Sequence, residues 1–61
     1  NINFVVQING KKRGLIETYK DINEENLIEL VLKDNALKKY LEGKKIKRKI
    51  FIKSKLINFI L

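Results

Sequence analysis

Sixty-one residues with 14 Lys and Arg against 7 Asp and Glu, and no His, Cys or Met, set narrow bounds on this chain. One domain with a thin core is the ceiling, since a chain this short buries only about 60% of its unfolded surface. Disulfide staples and ordinary zinc sites are excluded, and the commonest general base and the best nucleophile are both missing. No apolar run approaches the roughly 20 residues of a membrane span and nothing resembles a signal peptide, so no membrane association is expected. Beginning at Asn1 without Met, the chain reads as a fragment or a processed product.

From Asn1 to Asn9 the sequence alternates, with Ile2, Phe4, Val6 and Ile8 on one side, which predicts a strand with one buried face. Asn9-Gly10 signals a hairpin. A strict two-residue turn would set Lys11, Arg13 and Glu17 beside Ile8, Val6 and Ile2. A three-residue loop with Gly10 in the left-handed region keeps Gly14, Ile16 and Thr18 on the apolar face instead, so a bulged hairpin is expected, with its second strand from about Lys12 to Tyr19.

Asn23 is a good N-cap, Glu24 and Glu25 suit the positive end of a helix dipole, and Ile22 can staple onto Leu27. An apolar stripe through Leu27, Ile28, Leu30, Val31 and Leu32 carries that helix to about Lys33. Asp34 can cap a second short helix bearing Ala36, Leu37, Tyr40 and Leu41, with Gly43 as its left-handed terminator. Alternation returns from Lys45 to Lys53. Ile46, Ile50 and Ile52 then share a face with Arg48, and Lys45, Lys47, Lys49, Phe51 and Lys53 share the other. After a tight link at Ser54-Lys55, Leu56 to Leu61 forms a last strand. The result is a single α+β domain over residues 1–61, ordered β-β-α-α-β-β, with a mostly antiparallel four-stranded sheet and helices on one face.

Charge is unevenly distributed along this order. Residues 1–20 hold Lys11, Lys12, Arg13 and Lys20 against Glu17 alone. Six acids crowd residues 21–42, and residues 43–61 hold Lys44, Lys45, Lys47, Arg48, Lys49, Lys53 and Lys55 with no acid. Abundant Lys, Ile and Asn suggest an AT-rich genome, which accounts for some lysines but not for the absence of acids after Glu42. Lysines at two-residue steps along a strand, each about 6.6 Å from the next, suit a polyphosphate backbone. Phe51 in the same row either stacks on a base or packs under a neighbouring strand. Solvation of an exposed strand edge is the competing use of such lysines.

Catalysis has little to work with. Glu25 and Glu29 stand at helical spacing, as carboxylates routinely do on solvated faces. Asn9-Gly10-Lys11-Lys12-Arg13-Gly14 does not match a phosphate-loop spacing and joins two strands, so both glycines read as backbone devices.

The stretch Val5-Val6-Gln7-Ile8-Asn9-Gly10-Lys11-Lys12-Arg13-Gly14-Leu15-Ile16-Glu17 resembles the Val-Gln-Val-Asn-Gly-Lys-x-Arg-Gly segment that opens the C-terminal domain of bacterial-type leucyl-tRNA synthetase. Asn23-Glu24-Glu25, Lys39-Tyr40-Leu41-Glu42-Gly43-Lys44, Lys49-Ile50-Phe51-Ile52 and Lys55-Leu56-Ile57-Asn58 continue the likeness in order. The resemblance implies a non-catalytic module, joined by a flexible linker to the rest of a class I synthetase. Such a module touches the outer corner of tRNA-Leu, where D and T loops meet, and helps position it for charging and editing. It also implies a monomer in the cytoplasm or an organellar matrix. No cofactor is expected in this segment, ATP with magnesium belonging to the catalytic domain of the longer protein. Carried over by position, the RNA-contacting candidates are Asn9, Lys11 and Arg13, then Arg48 and Lys49, then Lys55 and Asn58. Charge adds Lys12, Lys45, Lys47 and Lys53. Where the family has Pro-Gly before Lys-Leu this chain has Lys53-Ser54, so an altered turn is expected there. Two rival readings share the composition: an unrelated module binding structured RNA, and a protein-interaction domain using an exposed strand edge.

Overall fold

The alternation at the start of the chain becomes strand β1 (Ile2–Ile8) in the computed structural model, which describes residues 1–61. Phe4, Val6 and Ile8 are buried and Asn3 is exposed. β2 (Lys11–Thr18) returns antiparallel. The hairpin differs in detail from the expected one. Asn9 and Gly10 have φ of 53° and 81°, the two left-handed residues of a tight two-residue turn, and Lys11 pairs directly with Ile8. The extra residue lies further along: Lys12 pairs with Gln7 but Gly14 pairs with Val6, so Arg13 is a β-bulge. Asn-Gly keeps the turn tight, and the bulge then shifts β2 by one residue. Gly14, Ile16 and Thr18 thereby join Val6, Phe4 and Ile2 on the inner face.

Both helices begin where side chains can satisfy their first amides. Asn23 Oδ1 accepts from the Asn26 N–H at 2.8 Å and starts α1 (Glu24–Lys33). Asp34 Oδ1 accepts from the amides of Ala36 and Leu37 at 3.0 and 3.1 Å and starts α2 (Asn35–Leu41). Gly43 follows with φ of 73°. Leu27 and Val31 of α1 and Leu37 and Leu41 of α2 are buried against the inner face of the sheet, in one core with Phe4, Val6, Ile8, Ile16, Ile22, Ile57 and Phe59. Burying side chains of this size contributes about 1.5–3 kcal/mol each, which is what offsets chain entropy in so short a domain.

β3 (Arg48–Ile52) and β4 (Leu56–Ile60) complete a four-stranded sheet in the order β2-β1-β4-β3. The two hairpins are antiparallel, and β1 and β4 join them as a parallel pair at the centre. β3 begins three residues later than expected, and of its two faces the one that bears Phe51 is turned to the core. Phe51 turns inward, its ring stacked 6.4 Å from that of Phe4, and Lys49 shares that side. Ile50 and Ile52 lie on the open face with Arg48, although Ile46 does pack on the core. Apolar residues occupy both sides of this edge strand, so period alone could not choose, and the larger area of Phe51 goes inside.

Gly14 is also more than a turn device. A Cβ built there would stand 2.7 Å from Leu37 Cδ2, so the missing side chain is what lets α2 settle on β2.

Candidate nucleic-acid interface

Strand order decides which cations meet. The parallel β1–β4 pair sets the Asn9-Gly10 turn beside the end of β4, and β4 sets that end beside the start of β3. One row of partners across the sheet therefore reads Lys11, Ile8, Phe59, Lys49, and the row behind it Lys12, Gln7, Asn58, Ile50. Arg48 stands opposite Ile60, and the Lys47 N–H donates to the Ile60 carbonyl at 2.8 Å, which holds Lys47 at the same margin. Lys11, Lys12, Lys47, Arg48 and Lys49 are all exposed, and they fringe one end of the sheet across about 14 Å of strand spacing. Lys45, also exposed, lies on the loop that feeds this end. β1, β3 and β4 carry no acid, and Glu17 of β2 sits opposite Asn3 at the far end. Lys11 and Lys49 stand on the helix-covered side of this end and Lys12 and Arg48 on the open side, and cations gathered at one end without carboxylates in the same rows raise the local positive potential.

Asn9 and Asn58 belong to this end for a structural reason. Asn58 Oδ1 accepts from the Gly10 N–H at 3.1 Å, and Asn9 Oδ1 accepts from the Leu61 N–H at 2.9 Å. The two carboxamides thus pin the first hairpin to the last strand. Their oxygens are occupied inside the fold, and the NH2 groups remain as donors.

Arg13 goes elsewhere. As the bulged residue it is redirected toward α2, where its guanidinium carbon lies 5.1 Å from the centre of the Tyr40 ring. Tyr40 is 38% exposed, so the pair sits at the surface beside the cationic end and not within its rows. Tyr40 was not among the site residues expected from sequence, because the bulge that brings Arg13 to it is a property of the hairpin register.

Lys53 and Lys55 are separated from the rest. They flank the β3–β4 turn at the opposite end of β3, about 13 Å of strand from Arg48 to Ile52. The Lys55 N–H donates to the Ile52 carbonyl at 3.0 Å, and the Ser54 hydroxyl donates to the Lys20 carbonyl at 3.2 Å, which makes a second, smaller basic corner with Lys20. The continuous lysine row from Lys45 to Lys53 is not formed. Lys45 and Lys47 precede the strand, and Phe51 interrupts the row by turning into the core.

No family model matches the chain. Individual proteins do. A leucine–tRNA ligase of Buchnera aphidicola subsp. Cinara cedri is 42% identical over 59 residues, which is 97% of this chain. A leucine–tRNA ligase of Chlamydia caviae is 38% identical over all 61 residues. In three dimensions the chain matches part of the LeuRS of Agrobacterium radiobacter K84 (agnB2), solved as a ternary complex with tRNA and LeuAMS. The TM-score is 0.86 at 25% identity, over 97% of this chain and 8% of that one. The chain belongs to the leucine–tRNA ligase family.

It spans only about 7% of the length of the ligases it matches in sequence. Within this ligase segment the Lys53-Ser54 departure proves conformationally mild. Ser54 itself adopts φ of 63°, the left-handed geometry that the family's glycine would take without strain, and the turn closes normally.

Proposed function

We propose that this segment is a non-catalytic tRNA-gripping appendage of a leucine–tRNA ligase, which holds the outer corner of tRNA-Leu so that the acceptor end can be charged and edited. One observation carries the reading: the sheet order gathers Lys11, Lys12, Lys47, Arg48 and Lys49 at a single end, on strands whose only acid is at the other. That arrangement suits phosphates at the surface of a folded RNA, and positive charge in excess of aromatics suits recognition by backbone and shape. Support also comes from the fold shared with a LeuRS solved together with tRNA. A flexible linker to the rest of the ligase and a monomeric state belong to the same proposal. ATP and magnesium would serve the remainder of the ligase.

The test is binding of tRNA-Leu across a salt series, with an isolated anticodon stem-loop as competitor. Each phosphate neutralised contributes a log–log slope of about −0.7 to −0.9. Neutralising Lys12 and Arg48 together (K12Q/R48Q) should flatten the slope by roughly 1.5, and the stem-loop should compete poorly. Binding insensitive to salt would point to a protein partner instead. Equal binding of stem-loop and whole tRNA would remove the corner-specific part of the reading.

A further inference from the structure

Arg13 is the one cation of the first hairpin that the sheet rows do not hold, and three features of the fold combine to place it. The β-bulge turns its side chain off the ladder, a device found at sheet edges and beside functional sites. The next residue, Gly14, has no Cβ and lets Leu37 seat α2 directly on β2. Tyr40 is a helix-surface neighbour of Leu37, three residues on, and its ring lies under the Arg13 guanidinium carbon at 5.1 Å. Both Arg13 and Tyr40 are exposed.

The fold orders this arginine without using its hydrogen-bonding capacity. Side-chain hydrogen bonds within the domain come from Asn9, Asn23, Asp34, Ser54 and Asn58, so the guanidinium keeps its donors. Its surroundings are cationic: Lys11 and Lys12 precede it on β2, and α2 carries Lys38 and Lys39 and no acid. Glu17 lies toward the far end of β2, opposite Asn3, and Glu42 sits at the C-cap of α2. Cations gathered in this way repel one another until an anion arrives. Arginine meets phosphate through a planar fork of two parallel N–H donors and also stacks on aromatic faces. An aromatic support that holds the fork in advance reduces the freedom lost on binding.

We propose that Tyr40 is a positioning residue for RNA: it steadies Arg13 over its ring, so that the guanidinium fork takes one backbone phosphate on the helix-covered side of the domain, outside the sheet-end rows. Lys11 stands on that same side, so the RNA strand that passes the sheet end continues onto α2. This rests on the RNA-binding reading above and adds a grip that neither the charge pattern nor the sheet order contains. Arg13 supplies the charge and Tyr40 its placement, so the two contribute differently to salt dependence.

The test is tRNA-Leu affinity across a salt series, with circular dichroism to check that each variant is folded. Arg13→Gln should weaken binding and flatten the log–log slope by about 0.7–0.9, the share of one phosphate. Tyr40→Leu leaves the charge in place, so affinity should fall about three- to tenfold with the slope unchanged. Tyr40→Phe keeps the aromatic face and should bind as the unaltered chain does. Combined with Arg13→Gln, Tyr40→Leu should cost nothing further. Arg13→Lys leaves α2 and the core untouched; it should keep the slope and weaken affinity, because an ammonium has no planar fork. An unchanged slope in R13Q, or full affinity in R13K, would overturn the phosphate grip, while a flattened slope in K12Q/R48Q would leave the RNA reading standing. Full affinity in folded Y40L, or an equal loss from Y40L with and without Arg13, would overturn the positioning role. Failure of the unaltered chain to bind tRNA even at low salt would overturn the grip and the RNA reading together.

Discussion

Gly14→Ala should destabilise the fold, although alanine is ordinarily the better strand residue. Gly14 has no left-handed φ, so backbone freedom is not at issue. Its partner is Leu37 of α2, whose Cδ2, Cγ and Cδ1 would lie 2.7, 3.4 and 3.5 Å from an added Cβ. Carbon atoms in contact prefer about 3.5–4.0 Å, so Leu37 must retreat by about an ångström. It has little room, being only 2% exposed within the core. Overpacking of this kind costs about 1–3 kcal/mol, and the better propensity of alanine returns about 0.5–1 kcal/mol. A net loss of about 1–2 kcal/mol should lower Tm by about 5–15 °C in a domain of this size. Thermal and urea unfolding followed by circular dichroism give the number. In the double variant with Leu37→Val the losses should be less than additive, because the trimmed side chain no longer meets the new methyl. A Gly14→Ala variant as stable as the parent, or more stable, would refute the close seating of α2 on β2. The same retreat would move Tyr40 away from Arg13, tying this packing contact to the surface beside the cationic end.

Asn58→Ala removes the acceptor for the Gly10 amide and should cost about 0.5–1.5 kcal/mol, with faster hydrogen exchange at Gly10 as the local readout. Asp34→Ala leaves the amides of Ala36 and Leu37 without their shared cap and should cost about 1 kcal/mol, seen as a lower urea midpoint with unchanged m. Ser54→Gly relieves about 1 kcal/mol of left-handed strain and loses one exposed hydrogen bond to Lys20. Tm should therefore stay level or rise by a few degrees, and a clear fall would show the hydroxyl to matter more than the turn. A double-mutant cycle of Arg13→Gln and Tyr40→Leu should return a coupling of about 0.5–1 kcal/mol, and a coupling of zero would mean the two side chains do not interact in solution.

Much of this domain is written locally. Asn23, Asp34 and Gly43 mark the helix ends because capping is a matter of one side chain and the three or four nearest amides. Asn9-Gly10 marks its turn because two left-handed residues in sequence fit almost nothing else. The inner face of β1 follows from the alternation of Ile2, Phe4, Val6 and Ile8 with Asn3 and Gln7. The likeness to leucyl-tRNA synthetase was equally legible, as a set of short segments in order along one chain.

Tertiary structure decided the rest. Which way β3 faces was settled by the space beside Phe4, since Ile50, Phe51 and Ile52 satisfy either choice by period. The position of the bulge, and so the direction of Arg13, depended on matching two strands at once. Above all, the parallel β1–β4 pairing brought the first hairpin to the start of β3 and sent Lys53 and Lys55 to the other end. Sequence sets how many cations there are and how they alternate; their meeting point depends on which strands hydrogen-bond to which, a long-range choice made by burial of the shared core.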